Sequence, residues 1–208
     1  MVALWRISPL LTFFIMSDFD FSKIPAIPLN ETTHEYEVVP AWTFIGRCIS
    51  IIDLGTQEDS YQWEIKTVRK ISIKFELPTK LDSHGIPFQI YRDLSYSMGE
   101  KSNLRKFLQS WRGQAYQNGE LDTFNIYQEY LNKPCQITVE QKVSKTSGNT
   151  YAVINSISPL MEGITAPERI NDLVWFNLES FNPTVYDSFN EKLKEMIAKS
   201  PEYKILAF

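Results

Sequence analysis

The chain has few of the parts that most protein chemistry requires. Only two cysteines, Cys48 and Cys135, and two histidines, His34 and His84, occur in 208 residues. The cysteines stand far apart in strand-like runs and form no C-x-x-C pair, so two small, buried, reduced thiols are expected. The histidines lie in loop-like sequence without ligand spacing around them, and no metal site is expected. G-x-G-x-x-G, G-x-x-x-x-G-K-[ST] and G-x-S-x-G are all missing, so dinucleotide, P-loop and nucleophile-elbow chemistry lack their frames. No pair of carboxylates stands out from ordinary surface acid. The expectation is a protein that is not an enzyme and uses no cofactor. Long apolar runs are scarce as well. The first sixteen residues, MVALWRISPLLTFFIM, are too short to span a bilayer and Pro9 interrupts them. They lack a basic start and a small-residue cleavage site, so Met16 is expected to be the true start or the leader a disordered extra. The corresponding location is cytoplasmic, with no membrane partner.

What is present is apolar and aromatic substance, 43% and 13% of residues, sufficient for one core. The net charge of −4 hides a pattern. Residues 42–160 are mildly basic, and both flanking segments are acidic. Residues 1–40 read as an irregular arm. From Trp42 to Gly55 a β-branched run reads as a first strand, and TQEDSYQ as the loop after it. In WEIKTVRKISIKFEL, Ile71, Ile73, Phe75 and Leu77 alternate with Lys70, Ser72, Lys74 and Glu76, the period of a half-buried strand. FQIYRDLSY is a third strand. Then the pattern changes. Leu104, Phe107, Leu108 and Trp111 recur at helical spacing, with Ser97 and Glu100 spaced as a capping box and Gly113 as the stop. A short helical piece is expected in LDTFNIYQEYL. CQITVEQKV and TYAVINSISPL are two further strands joined at SKTSGN as a hairpin. Five strands with a helix between the third and fourth predict a mainly β (α+β) fold, an OB-fold barrel over residues 41–160. The helix would plug the open end of that barrel with Leu104, Leu108 and Trp111. Residues 161–208 form a C-terminal extension with one amphipathic helix, whose apolar face carries Tyr186, Phe189, Leu193 and Ile197.

An OB fold takes single strands across its second and third strands, and such a site needs flat rings for bases and cations for phosphates. Lys66, Arg69, Lys70 and Lys74 come from the second strand, Tyr91 and Arg92 from the third, and Trp42 and Phe44 from the start of the first. Trp63 shares the apolar parity of Phe75, so core and groove both remain open for it. Tyr91 has the parity opposite to Ile90 and is expected outside. Lys101 and Arg105 extend the basic track or decorate the helix.

The stretches EKSNLRKFLQSWRG, LNKPCQITV, TYAVINSISPL and VWFNLESF…KSPEY together resemble a family of small phage and prophage proteins. That family shares an EKSNLRK-helix-WRG block, a GKPC-type strand start and a Y-A-x-I-x-S-I-S-P-L strand. Some members resemble phage single-stranded DNA-binding proteins of the replication and recombination module. The resemblance covers roughly residues 42–203. It implies an OB fold and single-strand binding, in a bacteriophage or its bacterial host. It assigns no contact residues. One departure is that Asn132 stands where the GKPC pattern has glycine.

Three functions follow. The first is a single-stranded DNA-binding protein of phage DNA replication or recombination, meeting other phage proteins through its C-terminal tail. Four neutralised phosphates would give a salt slope near −3, at about −0.7 per contact. The alternative is a protein-interaction adaptor that docks through LVWFNLESF and the helix after it. In a third, the acidic tail mimics nucleic acid over the groove, and its removal tightens DNA binding.

Overall fold

The computed structural model describes residues 37–61 and 64–206. The expectations for the leader, for His34, for the arm before Glu37 and for Trp63 lie outside the described residues. The order is β1 (Thr43–Tyr61), β2 (Glu64–Leu81), β3 (Pro87–Ser95), α1 (Asn103–Arg112), α2 (Ile126–Tyr130), β4 (Pro134–Val143) and β5 (Thr150–Ser158). Then come β6 (Val174–Phe176), a 3-10 turn (Leu178–Ser180), α3 (Pro183–Asp187), α4 (Glu191–Ala198) and α5 (Pro201–Leu206). The fold is mainly β with a few helices, as the alternation predicts.

Five strands lie antiparallel in the order β3-β2-β1-β4-β5. β1 is long enough to serve two partners along one edge. Thr43–Arg47 pair with β4, and Ser50–Ile52 pair with β6, which runs parallel. The period of two in β2 holds: Ile71, Ile73, Phe75 and Leu77 are all fully buried. Of the polar stretch TQEDSYQ, expected as a loop, Thr56–Tyr61 continue β1 instead. Their backbone pairs with β2 as far as Tyr61, so the hairpin ladder overrides weak strand propensity there.

The helix α1 buries Leu104, Phe107, Leu108 and Trp111, the stripe read from the sequence. Trp111 packs against Phe75 with ring centroids 5.1 Å apart and donates its indole N–H to the Pro134 carbonyl at 3.0 Å. It is a core residue with a satisfied polar atom. The expected cap was one turn early. Ser102, not Ser97, caps α1: its hydroxyl accepts the Arg105 amide at 3.1 Å and donates to the Ser97 carbonyl at 2.6 Å. Gly113, at φ 76°, closes the helix.

The sheet does not close into a barrel. Among the described residues no backbone ladder joins the edge strands β3 and β5. A side chain bridges them instead, with α1 packed on both. Arg92 donates to the Ile154 carbonyl at 3.3 Å, and its guanidinium lies 5.1 Å from the Phe107 ring centroid. Cys48 and Cys135 are free and buried, as expected. Asn132 sits at φ 65°, the left-handed region that favours glycine and that asparagine tolerates best among side chains with a Cβ. The residue that departs from the GKPC pattern thus keeps a backbone that glycine would adopt without strain.

The C-terminal segment carries β6 and three short helices rather than one long one. Asn182 and Asn190 accept backbone amides at the starts of α3 and α4, and these caps break the expected continuous helix. The apolar positions still meet. Phe176, Leu178, Phe189 and Ile197 form a second core with Ile52 and Leu54, on the face of β1 opposite to the main core.

Candidate nucleic-acid interface

On β2 and β3 the outward positions alternate with the buried ones, and register decides which meet. Lys74 lies opposite Tyr91 on β3 and opposite Ser50 on β1. Tyr91 is 61% exposed, so most of the side chain is accessible to a ligand. Lys74 is half-buried, and burial lowers its pKa because an ammonium loses hydration there. No carboxylate pairs with it among the described residues. A phosphate beside Lys74 would restore the charge stabilisation that burial removes. Asp93, exposed on the same face of β3 and opposite Ser72, sets a negative limit to this patch.

Most of the other expected contact residues have structural work. Arg69 binds the fully buried Asp53 at 2.6 Å and Glu179 of the 3-10 turn at 3.0 Å, and its guanidinium lies over Tyr96. The Asp53 carboxylate is the first reason that the Arg69 pKa is raised. Arg92 shares the parity of Ile90 and Leu94, points inward and bridges the seam described above. Burial lowers its pKa. Lys70 faces outward on β2 but pairs with Asp59 at 3.1 Å. Lys66 is exposed on the β1–β2 arm, in register with Asp59. Phe44 is half-buried and packs on the main core. Trp42 is 71% exposed, yet it lies at the start of β1 beside Val139 of β4, away from β2 and β3. Lys101 is exposed before α1. Arg105 donates to the Met98 carbonyl at 3.3 Å, which makes it part of that turn. Of the expected residues, the structure therefore brings Lys74 and Tyr91 together and lines Lys70 up with them. It distributes Arg69, Arg92, Trp42, Lys101 and Arg105 elsewhere.

Sequence reading missed a second pair of the same kind. Lys142 on β4 lies opposite Tyr151 on β5, and Tyr151 is 46% exposed. A weak contact of 3.7 Å links Lys142 to Glu140. The signal was available: Ala152 packs on the core and Ile154 is buried, so Tyr151 and Val153 take the other face. Because β3 and β5 are the two edges of the sheet, the two cation–tyrosine pairs flank the open seam.

Beside Lys74 the outward face of β2 and β1 is not an open trough. Glu76, fully buried, accepts the Ile170 amide at 2.6 Å and the Asn171 amide at 2.9 Å. Arg47 donates to the Pro167 carbonyl, and Asp53 accepts the Gly55 amide besides Arg69. Buried carboxylates held by several donors are satisfied anchors. A Cβ on Gly55 would clash with the Cβ of Ser200, so the C-terminal segment seats directly against β1.

No group of His, Cys, Asp and Glu suited to a metal ion occurs among the described residues, and no described helix is long and apolar enough to cross a membrane. No protein-family model matches the chain, and no curated protein matches it.

Proposed function

We propose that this chain is a non-catalytic, OB-like single-stranded DNA-binding protein of a phage replication or recombination module. The observation that carries the reading is the cross-strand pair of Lys74, a partly desolvated cation with no carboxylate partner among the described residues, and the exposed ring of Tyr91. Stacking on a ring is sequence-tolerant and worth about 1–3 kcal/mol per base, and a lysine beside it supplies the phosphate contact. Tyr151 and Lys142 repeat the pair on the other edge strand. The strand order is that of an OB barrel opened between its third and fifth strands, which supports the architecture the resemblance implies. With Arg69 and Arg92 engaged internally, two lysines remain as the main contacts. The expected salt slope falls from about −3 to about −1.4.

Fluorescence anisotropy with labelled oligo-dT across a salt series tests this. Lys74→Glu and Tyr91→Ala should each weaken binding by more than any fall in the urea midpoint explains. Absence of binding at low salt, or an affinity indifferent to salt, rejects the proposal. A second reading, an adaptor that docks a protein, draws on Ile170 and Trp175, which are 60% and 49% exposed on the C-terminal segment. A pull-down that needs Trp175 but not Lys74 would favour it.

A further inference from the structure

The arm formed by the ends of β1 and β2 and the helices α4 and α5 enclose a cleft of about 680 Å³. Its size lies within the usual range for small-molecule sites. Lys192, Lys199 and Lys204 line it from the helix side. All three are exposed, and none has a carboxylate partner among the described residues. Their neighbour Lys194 behaves differently, lying 3.4 Å from Glu191. Set against Glu58 and Glu195 on the same lining, three lysines and two carboxylates leave the cleft with a net charge of +1, which favours an anion on the lysine side.

The lysines are mounted on a fixed frame. Gln57 donates to the Met196 carbonyl at 2.9 Å, and Thr56 donates to Glu202 through its amide at 2.9 Å and through its hydroxyl. Ile197 and Ser200, on either side of Lys199, are fully buried. The cleft is therefore present before any ligand arrives, which limits the ordering that binding must impose to the lysine side chains. Met196 and Pro201 add apolar surface to its lining. Glu58 and Glu195 line the cleft too. They accept hydrogen bonds from hydroxyl or amino groups, and so they disfavour an anion that carries no such donors.

We infer that this cleft binds a phosphomonoester that also carries hydroxyl or amino donors, as a nucleoside monophosphate or the 5′-phosphate end of a strand does. The phosphate sits among Lys192, Lys199 and Lys204, the donors face Glu58 and Glu195, and a base rests on Met196 and Pro201. The site lies apart from the Lys74–Tyr91 face, and it stands whether or not that face binds DNA.

Isothermal titration of the full chain with AMP and with inorganic phosphate, at matched ionic strength, tests the inference. AMP should saturate and should bind more tightly than inorganic phosphate. Lys199→Gln/Lys204→Gln should weaken AMP roughly tenfold or more. The urea midpoint of that variant should stay in place, because both side chains are exposed. Lys74→Glu/Tyr91→Ala should leave AMP binding intact. An oligo-dT with a 5′-phosphate, compared with its unphosphorylated twin, separates the two sources. A preference for the phosphorylated form assigns the cleft to strand ends, and equal affinity assigns it to free mononucleotide. Failure of AMP to saturate, or equal AMP affinity in the double glutamine variant, overturns the inference.

Discussion

Replacing Arg92 by methionine separates a phosphate contact from a structural bridge. The substitution keeps an unbranched apolar stem and removes the guanidinium. Two interactions go with it. One is the hydrogen bond to the Ile154 carbonyl, long at 3.3 Å and worth about 1 kcal/mol; the other is the contact with the Phe107 ring, worth about 0.5–2 kcal/mol. Against this, a half-buried charge no longer has to be desolvated, and the methionine packs beside Phe107. The net loss should be about 1–2 kcal/mol. With a urea m-value of about 2 kcal/mol per molar, the midpoint should fall by roughly 0.5–1 M. The salt slope for oligo-dT should not change, because the guanidinium faces the seam and not the ligand. Chemical denaturation followed by tryptophan fluorescence reads the first quantity, and anisotropy across a salt series reads the second. An unchanged midpoint with a slope shallower by about 0.7, the value for one lost phosphate, would refute the bridge and restore Arg92 to the binding face.

Other consequences can be measured in the same way. Phe176→Ala should destabilise the fold by about 3–5 kcal/mol, since the ring is 1% exposed within the second core, whereas Trp175→Ala should have a much smaller effect. For the same reason, truncation after Leu160 should yield a poorly folded chain by circular dichroism, rather than one that binds DNA more tightly. Asn132→Gly should be neutral or mildly stabilising, and Asn132→Val should cost about 1 kcal/mol or more, because a β-branched side chain is disfavoured at φ 65°. Acid sensitivity should trace in part to Glu202. Burial pushes its pKa up, but the Thr56 hydroxyl and amide, with its own backbone amide and the charge of Arg69, together outweigh that, so the group titrates below its ordinary value. Its contribution is therefore full above the ordinary carboxylate range and is lost as pH falls through the lowered folded value. Thr56→Val should flatten that acid limb of stability, measured as the urea midpoint against pH.

The local patterns were decided in the sequence. Period two in β2 and period 3.6 in α1 place Ile71, Ile73, Phe75, Leu104 and Trp111 in the core, because alternation and helical stripes follow from backbone geometry alone. The outward direction of Tyr91 follows from the same rule, and the inward direction of Arg92 was equally legible from its shared parity with Ile90. Tertiary structure decided everything that depends on which distant groups meet. Thr56–Tyr61 became strand because β2 supplies their ladder. A three-residue strand such as β6 is too short to show a period, and only its pairing with Ser50–Ile52 defines it. Whether a cation is available or occupied is likewise a fact about distant partners. Arg69 is held by Asp53 and by Glu179, more than a hundred residues further along the chain, while no carboxylate pairs with Lys74 among the described residues. Charge and aromaticity can be counted along a chain, but pairing is a property of space, and here it reduced a track of basic residues to two lysine–tyrosine pairs.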